Sequence, residues 1–242
     1  MLRLIGLCLF GLLAAPAWGA PPLPDASPLH PSAHFVPLGP QDARGALVWL
    51  HGAYDSNAMP SPPEPGWVSR MARRSLDIWR FDRKRGQDAL LPGGEALARG
   101  LRALRAGGYR RIIVAGYSRG GWIALLAMTY PGAADGIVAF SPAAHGTSPE
   151  RQRQAFAEWQ SLWHAARPGP RVVLVQLAGD PYDPEPARRL GVANQAAGRV
   201  RIPLQSVFLP EIPTGHGGTY EPEFDARFGT EIADFVDPPM TR

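Results

Sequence analysis

The sequence Gly-Tyr-Ser-Arg-Gly at positions 116–120 places Ser118 between two glycines, each two residues away. An apolar run typical of a buried strand precedes it, and a helical pattern follows it. This G-x-S-x-G arrangement is typical of a sharp turn that presents a serine hydroxyl above a sheet, and Gly116 and Gly120 leave room for the backbone to fold tightly. A serine hydroxyl is a weak nucleophile near neutral pH. It needs a base within hydrogen-bond reach, and the base needs an acid to orient it.

Two later segments carry residues suited to those roles. Asp180 ends the apolar run 171–180, and His216 lies just after the run 203–212, so the chain order is serine, aspartate, histidine, the order that accompanies this turn. Taken singly, the aspartate fits an ordinary turn and the histidine fits a surface loop. Taken together, their order and their places at strand ends favour a triad. Asp183, three residues further on, is the alternative acid, and Asp180 is favoured because it lies nearer the strand end.

Acyl transfer to a serine also needs hydrogen-bond donors for the negative charge that develops on the carbonyl oxygen. The backbone N–H of Arg119, directly after the serine, is one candidate. The second is predicted in the loop after the run 46–52, at Ala53, with Tyr54 as the alternative. His51 in the same loop is predicted to brace it and not to titrate in catalysis. Tyr54 and Tyr117 are candidates for lining the substrate site.

The elements that must position these residues alternate along the chain. Continuous apolar runs predict strands, and apolar residues at helical spacing, bounded by glycine or proline, predict helices. The predicted strands are 46–52, 75–82, 110–116, 135–143, 171–180 and 203–212, and the predicted helices are 67–74, 93–108, 119–131, 148–169, 184–198 and 221–236. This alternation predicts an α/β fold with a mostly parallel sheet covered on both faces. In such sheets the chemistry lies at the carboxyl ends of the strands, where the candidate residues fall.

The first 20 residues differ from the rest. Arg3 precedes an apolar run, 4–15, that is too short to span a bilayer and is typical of a secretory signal. We therefore expect an exported protein, periplasmic or secreted, with no stable membrane insertion once residues 1–20 are removed. An N-terminal membrane anchor is the alternative. The Pro-rich segment 21–45 follows, with a short extended stretch at 34–38, and residues 46–242 are predicted to form a single domain.

The composition of the chain excludes several classes of function. Hydrophobic residues make up 45% of the chain and charged residues 19%, the balance of a globular protein. The formal net charge is +4, with the basic residues scattered, so no nucleic-acid surface is predicted. The one cysteine, Cys8, lies inside the predicted signal. Without it, the mature chain has neither a catalytic cysteine nor a thiolate metal site, and no metal or cofactor is expected.

Four motifs in this order resemble the α/β-hydrolase family over roughly residues 45–236: LVWLHG, VAGYSRGG, AGDPYDP and GHG. The resemblance implies a mostly parallel eight-stranded sheet, with Ser118 as nucleophile, His216 as base, Asp180 as acid and a hole of two backbone N–H groups for the oxyanion. It implies cleavage of an ester or related acyl bond of a small molecule through an acyl-enzyme. In relatives the acid segment often reads G-x-x-D-P, whereas here two residues are missing after Gly179, so Asp183 stays open as the acid.

The sequence departs from the family in two further ways. Only the Pro-rich residues 21–45 precede the strand 46–52, so one or both strands of the usual N-terminal hairpin are expected to be missing or very short. One predicted helix, 148–169, fills the region where relatives carry a cap, so a small cap and an open site are expected. Two other functions share this fold: a non-catalytic binding protein, and a cofactor-free perhydrolase or lyase with the same triad. The sequence does not determine the oligomeric state.

Two further side chains bear on the site. Trp122, in the helix after the serine, is predicted to pack in the core. The basic stretch 83–85 follows a strand end, where it either attracts an anionic substrate or forms a solvated loop, and the second role is favoured.

Overall fold

The computed structural model describes residues 28–53, 63–83, 88–209 and 215–239. The strands are β1 (Leu29–Pro31), β2 (Gly45–Leu50), β3 (Leu76–Phe81), β4 (Ile112–Tyr117), β5 (Gly136–Phe140), β6 (Arg171–Leu177) and β7 (Leu204–Leu209). The helices are α1 (Gly66–Ala72), α2 (Leu90–Ala106), α3 (Arg119–Leu126), α4 (Pro149–Ala165), α5 (Pro186–Val200) and α6 (Pro222–Val236), with 3₁₀ segments at Ala127–Thr129 and Gly215–Tyr220. Every strand and helix predicted from residue 46 onward is present, with bounds shifted by a few residues.

The sheet explains why helices cover both of its faces. Its strand order is β1-β3-β2-β4-β5-β6-β7, with β1 antiparallel to β3 and all other neighbours parallel. The chain runs from β2 outward to β3, then returns past β2 to β4 and continues to β7. Because crossovers between parallel strands are right-handed, connections in opposite directions put their helices on opposite faces. One core cluster accordingly includes α2 to α5, and a second includes α1 and α6.

Strand β4 shows how a continuous apolar run serves both faces. Alternate side chains of a strand point to opposite sides of the sheet. Ile112 and Val114 belong to the cluster beneath α2 to α5, whereas Ile113 and Ala115 belong to the cluster beneath α1 and α6. The strand therefore has no solvated side and no polar alternation. The mostly parallel, doubly covered α/β sheet predicted from the sequence is confirmed.

The N-terminal segment is where the prediction was wrong. Residues 34–38 do not form a strand; the short strand is Leu29–Pro31, paired with β3. The backbone N–H groups of Leu38 and Gly39 donate to the carboxylate of Asp77 at 2.7 and 2.9 Å, so side-chain caps take the place of a strand ladder there. Among the described residues one three-residue strand precedes β2, as expected for a reduced hairpin, and the sheet has seven strands where the family implied eight.

Helix α4 is the only helix between β5 and β6, a region that the structure describes without a gap. It lies on the sheet, because Trp159 and Trp163 are fully buried and Trp159 packs on Trp122 of α3, with ring centroids 5.4 Å apart. Trp122 is thus a core residue, as predicted, and α4 is a covering helix of the sheet. In the described part of the chain, no helix is both long and apolar enough to cross a bilayer. The predicted signal, with Cys8, lies outside the described residues.

Candidate active site

Ser118 lies at the corner between β4 and α3 with φ = 55° and ψ = −121°, a conformation that residues with a side chain rarely adopt. The two glycines that flank the serine are packed too closely against neighbouring backbone to carry a side chain. A Cβ on Gly116 would overlap the backbone of Gly120, and a Cβ on Gly120 would overlap the carbonyl oxygens of Leu50 and His51. Both flanking glycines are therefore sterically required, and the close approach they permit holds the serine above the carboxyl end of the sheet.

A continuous hydrogen-bond chain joins the three candidate residues. The Oγ of Ser118 is 2.8 Å from Nε2 of His216, and Nδ1 of His216 is 2.8 Å from Oδ2 of Asp180. The other carboxylate oxygen of Asp180 accepts the backbone N–H of Tyr182 at 2.8 Å, which fixes the orientation of the carboxylate. With these partners His216 donates from Nδ1 and accepts at Nε2, the tautomer that can take a proton from serine.

Asp183, the alternative acid, has different partners. It is buried, it accepts a hydrogen bond from Nε2 of Gln176 at 2.7 Å, and it pairs with Nε of Arg189 at 3.3 Å. Burial raises the pKa of Asp183, although Arg189 acts to lower it. The structure thus brings Asp180, and not Asp183, into contact with His216. The choice follows from the turn 177–183, where Asp183 donates its N–H to the carbonyl of Asp180 and so turns away from the histidine.

Two tyrosines pack on the imidazole, and a third packs on one of them. The rings of Tyr117 and Tyr182 lie with centroids 5.0 and 4.3 Å from that of His216, and Tyr220 meets Tyr117 edge-on at 5.1 Å. Burial raises the pKa of Tyr117, so its hydroxyl stays protonated. Tyr117 was a candidate for lining a substrate site; its ring packs on the histidine and on Tyr220, and the residue also packs against the core cluster beneath α1 and α6. Sequence reasoning missed Tyr182 and Tyr220; the position of Tyr182 between the two candidate acids was the available signal.

The loop after β2 approaches the serine closely. A Cβ on Gly52, the residue before Ala53, would lie 3.5 Å from Cβ of Ser118, so the loop passes close to the nucleophile at Gly52. Arg119 is the first residue of α3, and its N–H therefore has no acceptor within the helix. These two N–H groups are the candidate oxyanion donors. Tyr54, the alternative donor and a candidate lining residue, lies outside the described residues.

His51 braces this loop, as predicted. Its Nδ1 donates to the carbonyl of Gly52 at 2.8 Å, and its Nε2 accepts the backbone N–H of Arg83 at 3.1 Å. Burial first, and then the charge of Arg83, lowers the pKa of His51 to about 4. The imidazole is therefore neutral at neutral pH, and its tautomer is set by these two partners.

Neither of the two roles considered for Arg83 fits the structure. The residue is 3% exposed, so it is neither solvated nor open to an anionic substrate. Its guanidinium donates to the carbonyls of His51 and Gly52 and pairs with Asp88 at 2.5 Å. Residues 84 and 85 lie outside the described chain. Within the described residues, no cluster of three or more His, Cys, Asp or Glu side chains is placed to hold a metal ion.

The fold is similar to that of several solved structures. Thermogutta terrifontis esterase 2, phosphoramylated by tabun, superposes with a TM-score of 0.56 at 16% identity, over 87% of this chain and 90% of that one. A truncated carbohydrate esterase from gut microbiota gives a TM-score of 0.60 at 10% identity, over 86% and 90%. A puromycin-hydrolyzing peptidase from Mycobacterium tuberculosis gives 0.59 at 14% identity, over 82% of this chain and 36% of that one.

These likenesses define the class of fold. No protein-family model matches the sequence, and no curated protein matches it. The chain spans about a third of the length of the peptidase and nine tenths of each esterase. At these identities the similarity concerns the architecture: the chain has the α/β-hydrolase fold, as its motifs predicted.

Proposed function

We propose that this protein is a serine hydrolase that cleaves a carboxylic ester, or a related acyl bond, through an acyl-enzyme on Ser118. The observation that carries the proposal is the unbroken chain from Ser118 Oγ through both ring nitrogens of His216 to Asp180, with 2.8 Å at each link. Each member has the geometry its role needs, since the base touches the nucleophile and a buried carboxylate orients the base.

In the proposed reaction Ser118 Oγ attacks the carbonyl carbon of the ester, and its proton passes to Nε2 of His216. Asp180 stabilises the imidazolium that results. The carbonyl oxygen becomes an oxyanion, which accepts hydrogen bonds from the N–H groups of Ala53 and Arg119. When the carbon–oxygen bond breaks, His216 returns the proton to the leaving alkoxide. A water molecule then repeats the sequence, and its attack on the acyl carbon releases the acid and restores the serine.

The fold neighbours lend the proposal general support, because they include two esterases and a peptidase. The region between β5 and β6 holds one covering helix, and this favours a site that admits small soluble esters.

A fluorophosphonate probe tests the nucleophile. The wild-type protein should gain the mass of one phosphonyl group, and Ser118→Ala should gain none. Ser141→Ala is the matched control, because Ser141 is also buried, also at a strand end and also at positive φ. Equal labelling of the wild type and Ser118→Ala would show that the serine is wrongly assigned.

A panel of esters with graded acyl length and head-group charge, run beside matched amides, tests the bond cleaved. Faster turnover of esters supports the proposal, and faster turnover of amides would replace it with a peptidase. If the wild-type protein neither reacts with the probe nor turns over any acyl substrate, the non-catalytic binding protein becomes the better reading. Adding hydrogen peroxide to the ester assay separates a perhydrolase, which would form a peracid.

Export is part of the proposal and rests on the signal-like pattern of residues 1–20. Expression of the full chain in a bacterial host, followed by cell fractionation and N-terminal sequencing of the product, tests it. A cleaved product in the periplasm or medium is expected, and an uncleaved product in the cytoplasm would contradict it.

A further inference from the structure

Arg83 is a buried cation directly behind the loop that approaches Ser118. One nitrogen, Nη2, donates to the carbonyl oxygens of both His51 and Gly52 at 2.7 Å each. The backbone N–H of Arg83 holds the ring of His51, which itself donates to the carbonyl of Gly52 at 2.8 Å. The Gly52 carbonyl oxygen thus accepts hydrogen bonds from Nη2 of Arg83 and from Nδ1 of His51, and these two residues are themselves hydrogen-bonded to each other.

These bonds fix the direction of the next N–H group. A trans peptide is planar, with its C=O and N–H pointing in opposite directions. The carbonyl of Gly52 and the N–H of Ala53 belong to one peptide unit. Because the carbonyl is held toward Arg83 and His51, the N–H of Ala53 must point away from them. A positive charge on the carbonyl side also strengthens the N–H as a donor, since hydrogen bonds in a chain polarise one another.

Asp88 extends this contact to the second candidate donor. Its carboxylate pairs with Nε of Arg83 at 2.5 Å and with Nε of Arg119 at 3.2 Å. The carbonyl oxygen of Asp88 accepts a further hydrogen bond from Arg119 at 3.1 Å. Arg119 supplies the other backbone N–H from the first position of α3. A line of bonds therefore runs from the Gly52–Ala53 peptide through Arg83 and Asp88 to Arg119.

We propose that Arg83 and Asp88 are positioning residues that hold the two oxyanion donors in register, the N–H of Ala53 through its peptide and that of Arg119 through its side chain. This inference rests on the proposed hydrolase function. Arg83 is too deeply buried to meet substrate, so its effect reaches the reaction only through the backbone it holds. Its removal should weaken the binding of a tetrahedral anion and leave the binding of a neutral ester nearly unchanged.

The experiment compares ester kinetics with inhibition by phenylboronic acid, which forms a tetrahedral anion on the serine. In Arg83→Met we expect kcat to fall about 10- to 100-fold, since a misdirected donor retains part of the effect of an oxyanion hole, while KM changes little. The inhibition constant should rise by a similar factor. Arg83→Lys should recover less than half of the logarithmic loss, because an ammonium cannot span both carbonyls and Asp88.

Arg111→Met is the matched control. Arg111 pairs with the buried carboxylate of Asp237 at 2.9 Å and lies just before β4, at the opposite end of the sheet from the site. We expect its loss to lower thermal stability and to leave kcat and the inhibition constant within about twofold of wild type.

The outcomes separate the two proposals. If the wild-type enzyme turns over no acyl substrate, the hydrolase function itself fails. If wild-type turnover is clear but Arg83→Met keeps both kcat and boronate affinity, the positioning role is wrong. Should Arg83→Met fail to fold, Asp88→Asn decides: it removes the charge between the two arginines, and we expect a smaller fall in kcat, with an equal rise in the inhibition constant. Unchanged values in that variant would overturn the inference.

Discussion

Two buried arginines lie behind the candidate site, one on the side of the nucleophile and one on the side of the acid. They make the same kinds of contact, but their paired aspartates have different further partners. Arg83 lies behind the nucleophile loop, Arg189 lies behind the acid loop, and each is 3% exposed. Each pairs with an aspartate, Asp88 or Asp183, and each donates to two backbone carbonyls. Burial lowers the pKa of both guanidinium groups, and the paired aspartate acts to raise it.

The two sides differ in the second partner of the aspartate that pairs with each arginine. Asp88 is shared with a second guanidinium, that of Arg119, whereas Asp183 is shared with the neutral amide of Gln176. The carboxylate of Asp88 thus joins two guanidinium groups on the nucleophile side. The carboxylate of Asp183 pairs with one guanidinium group, and Arg189 interacts electrostatically with Asp180 as well. The two supports therefore differ in how many cations share the paired carboxylate.

The largest expected effect tests the difference between the two acids. Asp180→Asn should lower kcat about ten-thousand-fold, because an amide favours the wrong tautomer of His216. Asp183→Asn should lower kcat less than about tenfold, since Asp183 contacts Gln176 and Arg189 and not the histidine. Steady-state ester hydrolysis measures both. A larger loss in Asp183→Asn would mean that the acid loop rearranges in solution.

The next effect concerns stability on the acid side. Arg189→Met leaves the carboxylate of Asp183 buried without its cation, and the loss of one partner of a buried pair costs about 3–5 kcal/mol of unfolding free energy. Urea denaturation followed by tryptophan fluorescence measures it. The double variant Arg189→Met/Asp183→Asn should regain much of that loss, because the orphaned charge is gone. If the double variant is no more stable than the single one, the ion pair is not what Arg189 contributes.

The stability contributed by His51, on the nucleophile side, should change with pH in the opposite direction from that contributed by Asp183. The pKa of His51 is lower in the folded protein, about 4, than in the unfolded chain, so the unfolded state takes up the proton first. The contribution of His51 to the free energy of unfolding is fully present above about pH 6.5. Up to about 3 kcal/mol of it is lost as the pH falls to 4. For Asp183 the folded pKa is raised, so its contribution is present at low pH and lost as the pH rises through that pKa.

Unfolding free energies of wild type and His51→Gln between pH 7 and 4 check the first part of this comparison. The wild type should lose more stability than the variant over that range, because the variant has no imidazole to protonate. Parallel curves would show that His51 titrates normally.

The last comparison is between one glycine on each side, and the smaller effect is expected on the acid side. Gly120→Ala should destabilise by about 1–3 kcal/mol or more, because its Cβ meets backbone that has no room to move. Gly191→Ala, within α5 on the acid side, should stabilise by about 0.5–1 kcal/mol, since nothing lies within 4 Å of its Cβ. Thermal melts of both variants measure this, and equal effects would contradict the crowded packing of the corner.

The fold was largely predictable because its strands are continuous apolar runs and its chemistry lies where those runs end. Ser118, Asp180 and His216 follow three different strands, and the parallel sheet brings these ends to one edge. Helix α2 was predicted to begin at Gly93 but begins at Leu90, because Pro92 is tolerated in a first turn, where N–H groups have no partner within the helix. Gly93 and Gly94 then allow close packing against α3.

The parts that escaped prediction depend on contacts between distant residues. Arg83 looked like a solvated charge because nothing near it in the chain reveals that it turns inward to the carbonyls of His51 and Gly52, more than 30 residues earlier. The choice between Asp180 and Asp183 depends on how a short turn folds, which composition does not encode. The extended stretch predicted at 34–38 was wrong for a related reason, because the carboxylate of Asp77 in β3 accepts the N–H groups of Leu38 and Gly39.

The short strand β1 also affects how the protein meets its own copies. An exposed sheet edge is a template on which another chain can add a strand, and long flat edges promote aggregation. Among the residues that the structure describes, the outermost strand on this side of the sheet is three residues long and ends in Pro31, which has no N–H to donate. The side chain of His30 beside it is tied to Asp82 at 3.1 Å. At this side of the sheet, the reduced hairpin thus leaves an edge that is poorly suited to the addition of a strand from another copy.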